Sequence, residues 1–143
     1  MASFKRILVA IDSSPLAARA ASVAIELAKS LGSDLAFVNV VNPAEGVAPE
    51  GGLPAGVLLE DLRQHARQTL DTALARAEVA PPPWSFLKEG QPASEIVAAA
   101  KEWGSDLIVI GTHGRTGLRR VVLGSVAQAV VHEAPCPVLL VRS

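Results

Sequence analysis

Four short, almost unbroken aliphatic runs constrain this chain more than anything else in it. They occupy residues 7–11, 35–41, 107–110 and 138–141, and the strand expected around the third of them runs from Asp106 to Ile110. None shows the alternation of a strand with one wet face, and each is bounded by polar or turn residues. They read as strands buried on both sides, the signature of a parallel sheet covered by helices. A weaker fifth strand, 84–89, alternates only partly and reads as an edge. Helical spacing fills the gaps, so the order is β-α-β-α-β-α-β-α-β. That order implies one α/β domain over residues 1–143, with a five-stranded parallel sheet, right-handed crossovers and helices on both faces.

The helices carry their own punctuation. Ser14 and Pro15 read as N-cap and first helical residue, and Gly32 as the stop. Between them Leu16, Ala20, Val23, Ala24, Leu27 and Leu31 fall at helical spacing and form the expected inward face. Residues 57–79 give a second helix, with Leu59, Leu62, Ala66, Leu70, Ala73 and Ala77 on its apolar face and His65 on the exposed side. The loop before it, 43–56, is rich in proline and glycine and reads as a lid or as a variable connection. A third helix, 93–103, follows the Gly90-Gln91-Pro92 turn, with Trp103 as a packing residue and Gly104 as its end. A fourth begins near Ser125 and runs to about His132, whose place near a helix C-terminus favours a structural role.

Chemistry concentrates after the fourth strand. The run Asp106-Leu107-Ile108-Val109-Ile110 breaks into Gly111-Thr112-His113-Gly114-Arg115-Thr116-Gly117, and resumes at Leu123-Gly124-Ser125 before a helix. Strand, glycine-bearing loop and helix N-terminus, in that order, make an anion site. Unpaired N–H groups and the positive end of the helix dipole meet there, and glycines admit a phosphate without a Cβ in the way. Ser125, Thr112, Thr116 and Arg115 add donors. The spacing is neither the P-loop nor Gly-x-Gly-x-x-Gly. For any single glycine, a turn or helix start is the simpler account; the full set carries the anion reading. Asp12, at the carboxyl end of the first strand, lies where open α/β sheets bind ligands. It reads equally as a ligand to ribose or a phosphate-held metal and as a turn aspartate that caps the next helix.

Composition excludes several classes. Net charge is -1 without a basic run, and there are only two Trp, three Phe and no Tyr, which argues against nucleic acid and against a polybasic membrane contact. No run reaches membrane-spanning length and no signal peptide is evident. The lone Cys136 precludes an internal disulfide and a cysteine-rich zinc site. It suits a cytoplasmic protein and reads as a small apolar filler. The apolar last strand leaves an open edge, from which a homodimer through Val138–Val141 is expected.

The residues resemble the universal stress protein family in its ATP-binding branch. The resemblance covers essentially the whole chain. It rests on Ile7-Leu8-Val9-Ala10-Ile11-Asp12, Gly90-Gln91-Pro92-Ala93, the run from Asp106 to Arg115, Leu123-Gly124-Ser125-Val126 and Cys136-Pro137-Val138-Leu139-Leu140-Val141. The Gly111, Gly114, Gly124, Ser125 spacing is similar to the family's ATP motif. The resemblance implies an adenine-nucleotide alpha-hydrolase-like fold with strand order 3-2-1-4-5, and dimers that pair their last strands antiparallel. It implies ATP across the carboxyl edge of strands one and four. Asp12 would then meet ribose or phosphate and help hold Mg2+, and the Val40 backbone would meet adenine. Ala10, Ile110, Gly111, His113, Gly114 and Arg115 would line the site, with Gly124, Ser125 and Val126 on the phosphates. Ala10 stands where the family often has proline.

Three functions follow as alternatives: an ATP-binding stress or signalling module with at most slow hydrolysis, a nucleotide-dependent enzyme of the wider superfamily, or a nucleotide-independent dimeric interaction protein. Enzymes of that superfamily use a His-x-Gly-His pair near the first strand, absent here, and the glycine motif counts against the third alternative.

Overall fold

The structure, a computed structural model, describes residues 4–46, 55–113 and 123–142. Its elements are β1 (Arg6–Ala10), α1 (Pro15–Leu31), β2 (Asp34–Val41), a 3-10 turn at Pro43–Gly46, α2 (Ala55–Arg76), β3 (Trp84–Glu89), α3 (Pro92–Trp103), β4 (Leu107–Gly111), α4 (Ser125–Glu133) and β5 (Val138–Val141). The sheet runs β3-β2-β1-β4-β5, and every pair is parallel. The fold class and strand order expected from the sequence are therefore correct. Central β1 lies against β2 with Ile7 opposite Leu35, and against β4 with Ile7 opposite Leu107.

Alternate side chains of each strand feed two cores. Ile7, Val9, Phe37 and Val109 pack beneath α1 and α2; Leu8, Val38, Ile108 and Ile110 pack beneath α3 and α4. Two aliphatic faces on one sheet are the reason its strands read as continuous apolar runs. Both helix stops are as expected: Gly32 and Gly104 take positive φ (67° and 76°), which glycine adopts without a Cβ penalty. Ser14 Oγ accepts the Ala17 N–H at 3.1 Å, and Pro15 opens the helix.

Several boundaries differ from expectation, each for a visible reason. Asp106 is not strand. Its carboxylate accepts the N–H groups of Lys5 (2.8 Å) and Arg6 (2.9 Å), tying the base of β1 to the start of β4. Gly111, in turn, belongs to β4 and pairs with Val141. The second helix begins at Ala55 and ends at Arg76, ahead of the prolines. The inward face of α1 is also displaced. Ala17, Ala20, Ala21, Ala24 and Ala28 are the buried residues, Leu16, Val23 and Leu27 only flank them, and Leu31 is 45% exposed. Small side chains let the helix lie close on the sheet, so bulk is pushed to the stripe's border. On the opposite face Trp103 does pack, 5.8 Å from Trp84 and 6.4 Å from Phe86.

Leu70 is the fully buried anchor of α2. Leu70→Ala should cost about 2–5 kcal/mol in urea unfolding, whereas Leu31→Ala should change stability by less than about 0.5 kcal/mol. Equal costs would contradict the alanine-faced packing of α1.

Candidate functional site

The carboxyl ends of β1, β2 and β4 meet at one edge of the sheet, and most of the expected site residues gather there. Ala10 and Ile110 are buried beneath that edge, both in the core under α3 and α4. Ile11 N–H extends the ladder to the Val38 carbonyl (2.9 Å). Asp12 then leaves the strand. Its Oδ1 accepts the Ser14 N–H at 2.8 Å, closing a turn into α1, while the half-buried carboxylate also lines a cleft. The two readings of Asp12 left open by the sequence are thus compatible: one oxygen holds the turn, and the group still lines the cleft.

That cleft is a shallow groove open to solvent. Asp12, Ser13 and the end of β2 (Asn39, Val40, Val41) form one side, and α2 forms the other through Leu62, His65, Ala66 and Thr69. Those four positions are spaced i, i+3, i+4, i+7, one face of a helix. His65 is exposed, as its place in the helical pattern suggests, yet it lies on the rim of the cleft. Asn39 and Thr69 carry no motif. A lone carboxamide inside an aliphatic strand was the one available signal for Asn39.

The side expected to meet phosphate is built separately, at the end of β4. Thr112 is buried, and its N–H donates to the Val141 carbonyl (3.0 Å). Thr112 Oγ1 and His113 Nδ1 are 2.9 Å apart, a hydrogen bond that orients the imidazole beside the strand end. Gly124 sits at the N-cap of α4, and Ser125 is the first helical residue. Gly124 N–H donates to the Thr112 carbonyl at 2.6 Å, which docks the helix start against the strand end. A Cβ at Gly124 would stand 2.8 Å from that carbonyl oxygen. Gly124 has no side chain with which to cap α4, and among the described residues no side-chain cap bond is made there. The Gln128 N–H closes the first turn on the Gly124 carbonyl. The N–H groups of Ser125, Val126 and Ala127 are the donors a helix start leaves without intrahelical partners. The contrast with α1 is direct, because there Ser14 and Asp12 fill the same role with side chains.

The half-buried side chain of Val126 packs against the core, which leaves its backbone for a ligand, and Ser125 is exposed. Gly114 and Arg115 lie outside the described residues. The cleft does not extend to Gly111, His113 or Gly124; Asp12 stands between the cleft and the β4 end. The arrangement suits an elongated ligand with an anionic end. Among the described residues no cluster of three or more His, Cys, Asp or Glu could hold a metal ion by itself. Asp12 could share a cation with phosphate oxygens. No described helix is long and apolar enough to cross a membrane. Burial, and then the Asp106 carboxylate, push the Cys136 thiol up, so it remains protonated at neutral pH and behaves as the filler expected.

Beside the cleft, Arg63 clasps Glu89 with two hydrogen bonds (2.7 and 3.0 Å), tying α2 to the end of β3. That bond raises the Arg63 pKa and lowers that of Glu89.

Comparison with known proteins agrees with this architecture. A family model described as "Universal stress protein family" matches residues 3–142. A universal stress protein of Methanocaldococcus jannaschii is 37% identical over 144 residues, covering 97% of this chain and 82% of that protein. One from Thermus aquaticus is 40% identical over 139 residues, covering 97% and 99%. The solved structure of the universal stress protein UspA from Lactobacillus plantarum superposes with a TM-score of 0.83 at 31% identity, covering 99% of this chain and 100% of that one.

Gly124→Ala should lower stability by roughly 1–3 kcal/mol, because the new methyl must push α4 off the Thr112 carbonyl. Gly111→Ala should cost less, since its nearest neighbour is the Leu16 side chain (3.0 Å), which can turn aside. Urea titrations of both variants check this order.

Proposed function

This chain belongs to the universal stress protein family, and from that premise we propose that it is an ATP-binding module of stress response or signalling that holds its nucleotide rather than turning it over quickly. The observation that carries the reading is the uncapped start of α4. Gly124 is pressed against the end of β4, and the amides that follow lie at the edge where Asp12 leaves β1. Backbone donors at a helix N-terminus favour phosphate, and the absence of a Cβ at Gly124 lets that helix start sit against the end of β4. Gly111, His113, Gly114 and Arg115 take the ribose and phosphate side, and the Val40 backbone takes the base. Bound nucleotide supplies the anionic oxygens with which Asp12 would share Mg2+.

Little in the site favours fast chemistry. Asp12, the carboxylate expected at the phosphates, has its Oδ1 already held by the Ser14 N–H, and Glu45 lines the cleft on the other side of it from β4. Positioning plus several cationic groups is what phosphoryl transfer needs. Cytoplasmic residence belongs to the same proposal.

We also infer a homodimer through β5. That strand pairs with β4 on one side only; Leu139 is 37% exposed and Val131 on α4 is 43% exposed. A short apolar edge with free ladder groups favours pairing with a second copy.

Freshly purified protein should release ATP on denaturation, detected by mass spectrometry, or bind added MgATP by isothermal titration. Asp12→Asn keeps an acceptor for the Ser14 N–H and should weaken MgATP about tenfold, while narrowing the difference between titrations with and without Mg2+. Protein that neither carries nor binds nucleotide would refute the reading. Leu139→Glu should give monomers in sedimentation velocity without unfolding. Leu140 is the poorer test, because it packs into the core beneath α4. A persistent dimer in the Leu139 variant would place the interface elsewhere.

A further inference from the structure

The helix α2 is held to the sheet unevenly along its length. Its second half is anchored: Leu70 is fully buried, and Ala73, Leu74 and Ala77 pack against the core beneath α1 and α2. Residues 58–65 of the first half have no such anchor. Leu58, Leu59 and Leu62 are half-buried, and none of them belongs to either core. Ala66 is the first buried residue among those described in α2, and its carbonyl accepts the Asn39 Nδ2 at 3.2 Å. α2 also meets the 3-10 turn at Pro43–Gly46.

Among the described residues, the side-chain hydrogen bonds from 58–65 to the sheet are those of Arg63. Its Nε and Nη2 donate to the two Glu89 carboxylate oxygens at 2.7 and 3.0 Å. The Glu89 end is fixed, because Glu89 pairs with Val41 across the ladder and the Gly90 N–H donates to the Val41 carbonyl at 2.9 Å. The pair therefore joins a rigid strand end to a helix half that the core does not hold.

We propose that residues 58–65 form a flap on the cleft, opening by local unwinding of α2 back to Ala66, with the Arg63–Glu89 pair as its ionic latch. A segment with few buried apolar contacts opens at low cost, and a helix unwinds from its end without breaking its interior. The two side chains are 40% and 39% exposed. Contact with water makes such a pair weak and sensitive to salt, and the two-bond geometry is the form of it that holds best. Leu62 and His65 line the cleft and belong to the flap, whereas Ala66 and Thr69, on the same wall, lie beyond it. Opening therefore removes the outer part of one wall and leaves Asp12, Asn39 and the anchored part of α2 in place. The inference concerns access to the cleft, whatever ligand occupies it.

The test is hydrogen–deuterium exchange of the full chain, read by mass spectrometry over 58–65 and over 70–76. Glu89→Gln is remote in sequence from both stretches, so their intrinsic exchange rates are unchanged. At low salt it should speed exchange across 58–65 by about two- to fivefold, the scale of one exposed ion pair, and leave 70–76 as in the wild type. Sodium chloride at about 1 M should speed exchange across 58–65 in the wild type and have little further effect in the variant. Glu60→Gln is the control. Glu60 meets Arg63 at 3.5 Å within α2, so its loss should have the smaller effect. Unchanged exchange across 58–65 in Glu89→Gln overturns the inference. An equal rise across 70–76 also overturns it, because the whole helix would then be loosened. So does an equal effect of Glu60→Gln, which would assign the protection to charges inside the helix.

Discussion

The structure depends on the burial of β1 from every side. Ile7, Leu8 and Val9 are fully buried, with β2 and β4 pairing along both edges and helices covering both faces. A strand in that position can have no polar side chain without a partner and no edge open to water. Its only exit is the carboxyl end, where the chain turns outward at Asp12. The neighbouring strands end at the same level because they are parallel. One buried strand therefore creates one ligand edge, and the residues able to meet a ligand are those just beyond the ladder.

Two different solutions to the same problem stand side by side on that edge. Each helix that follows a strand starts with N–H groups that need acceptors. At α1 the chain supplies its own, through Ser14 Oγ and the Asp12 carboxylate. At α4 it supplies a glycine at the N-cap and no side-chain cap. Leaving the second helix start without a side-chain cap costs stability that a cap would have contributed, and it leaves donor amides at the same sheet edge as Asp12, where the proposed nucleotide would place its phosphates. The Gly124–Thr112 contact holds those donors in register with β4, so docking of the helix and presentation of its amides are the same event.

The match between sequence and structure is closest where a residue's role is local. β2 spans Asp34–Val41 as its apolar run implies, and Gly32 and Gly104 end their helices with the positive φ that only glycine adopts freely. Misreadings occur where a neighbour decides. Asp106 looked like the first strand residue, but its carboxylate is drawn to the Lys5 and Arg6 amides. Leu16, Leu27 and Leu31 looked like the inner face of α1, but close packing on the sheet favoured the alanine stripe. His65 looked like a surface residue and is exposed, but helical period cannot say that its face borders a cleft.

The sequence by itself determined the α/β class, the parallel pairing, the caps of α1 and the family to which the chain belongs. Those follow from hydrophobic period, turn chemistry and motif spacing, all properties of neighbouring residues. Only the tertiary structure decided which residues share the ligand edge. Asp12, Asn39 and Thr69 are far apart in the chain, and a one-dimensional pattern carries no record of which helix face a crossover will lay beside which strand end. The polarity of the cleft wall was decided there too. The same carboxamide and hydroxyl can donate or accept, and the carbonyls of Ala66 and His65, fixed by the course of α2, take up one carboxamide hydrogen and the hydroxyl hydrogen.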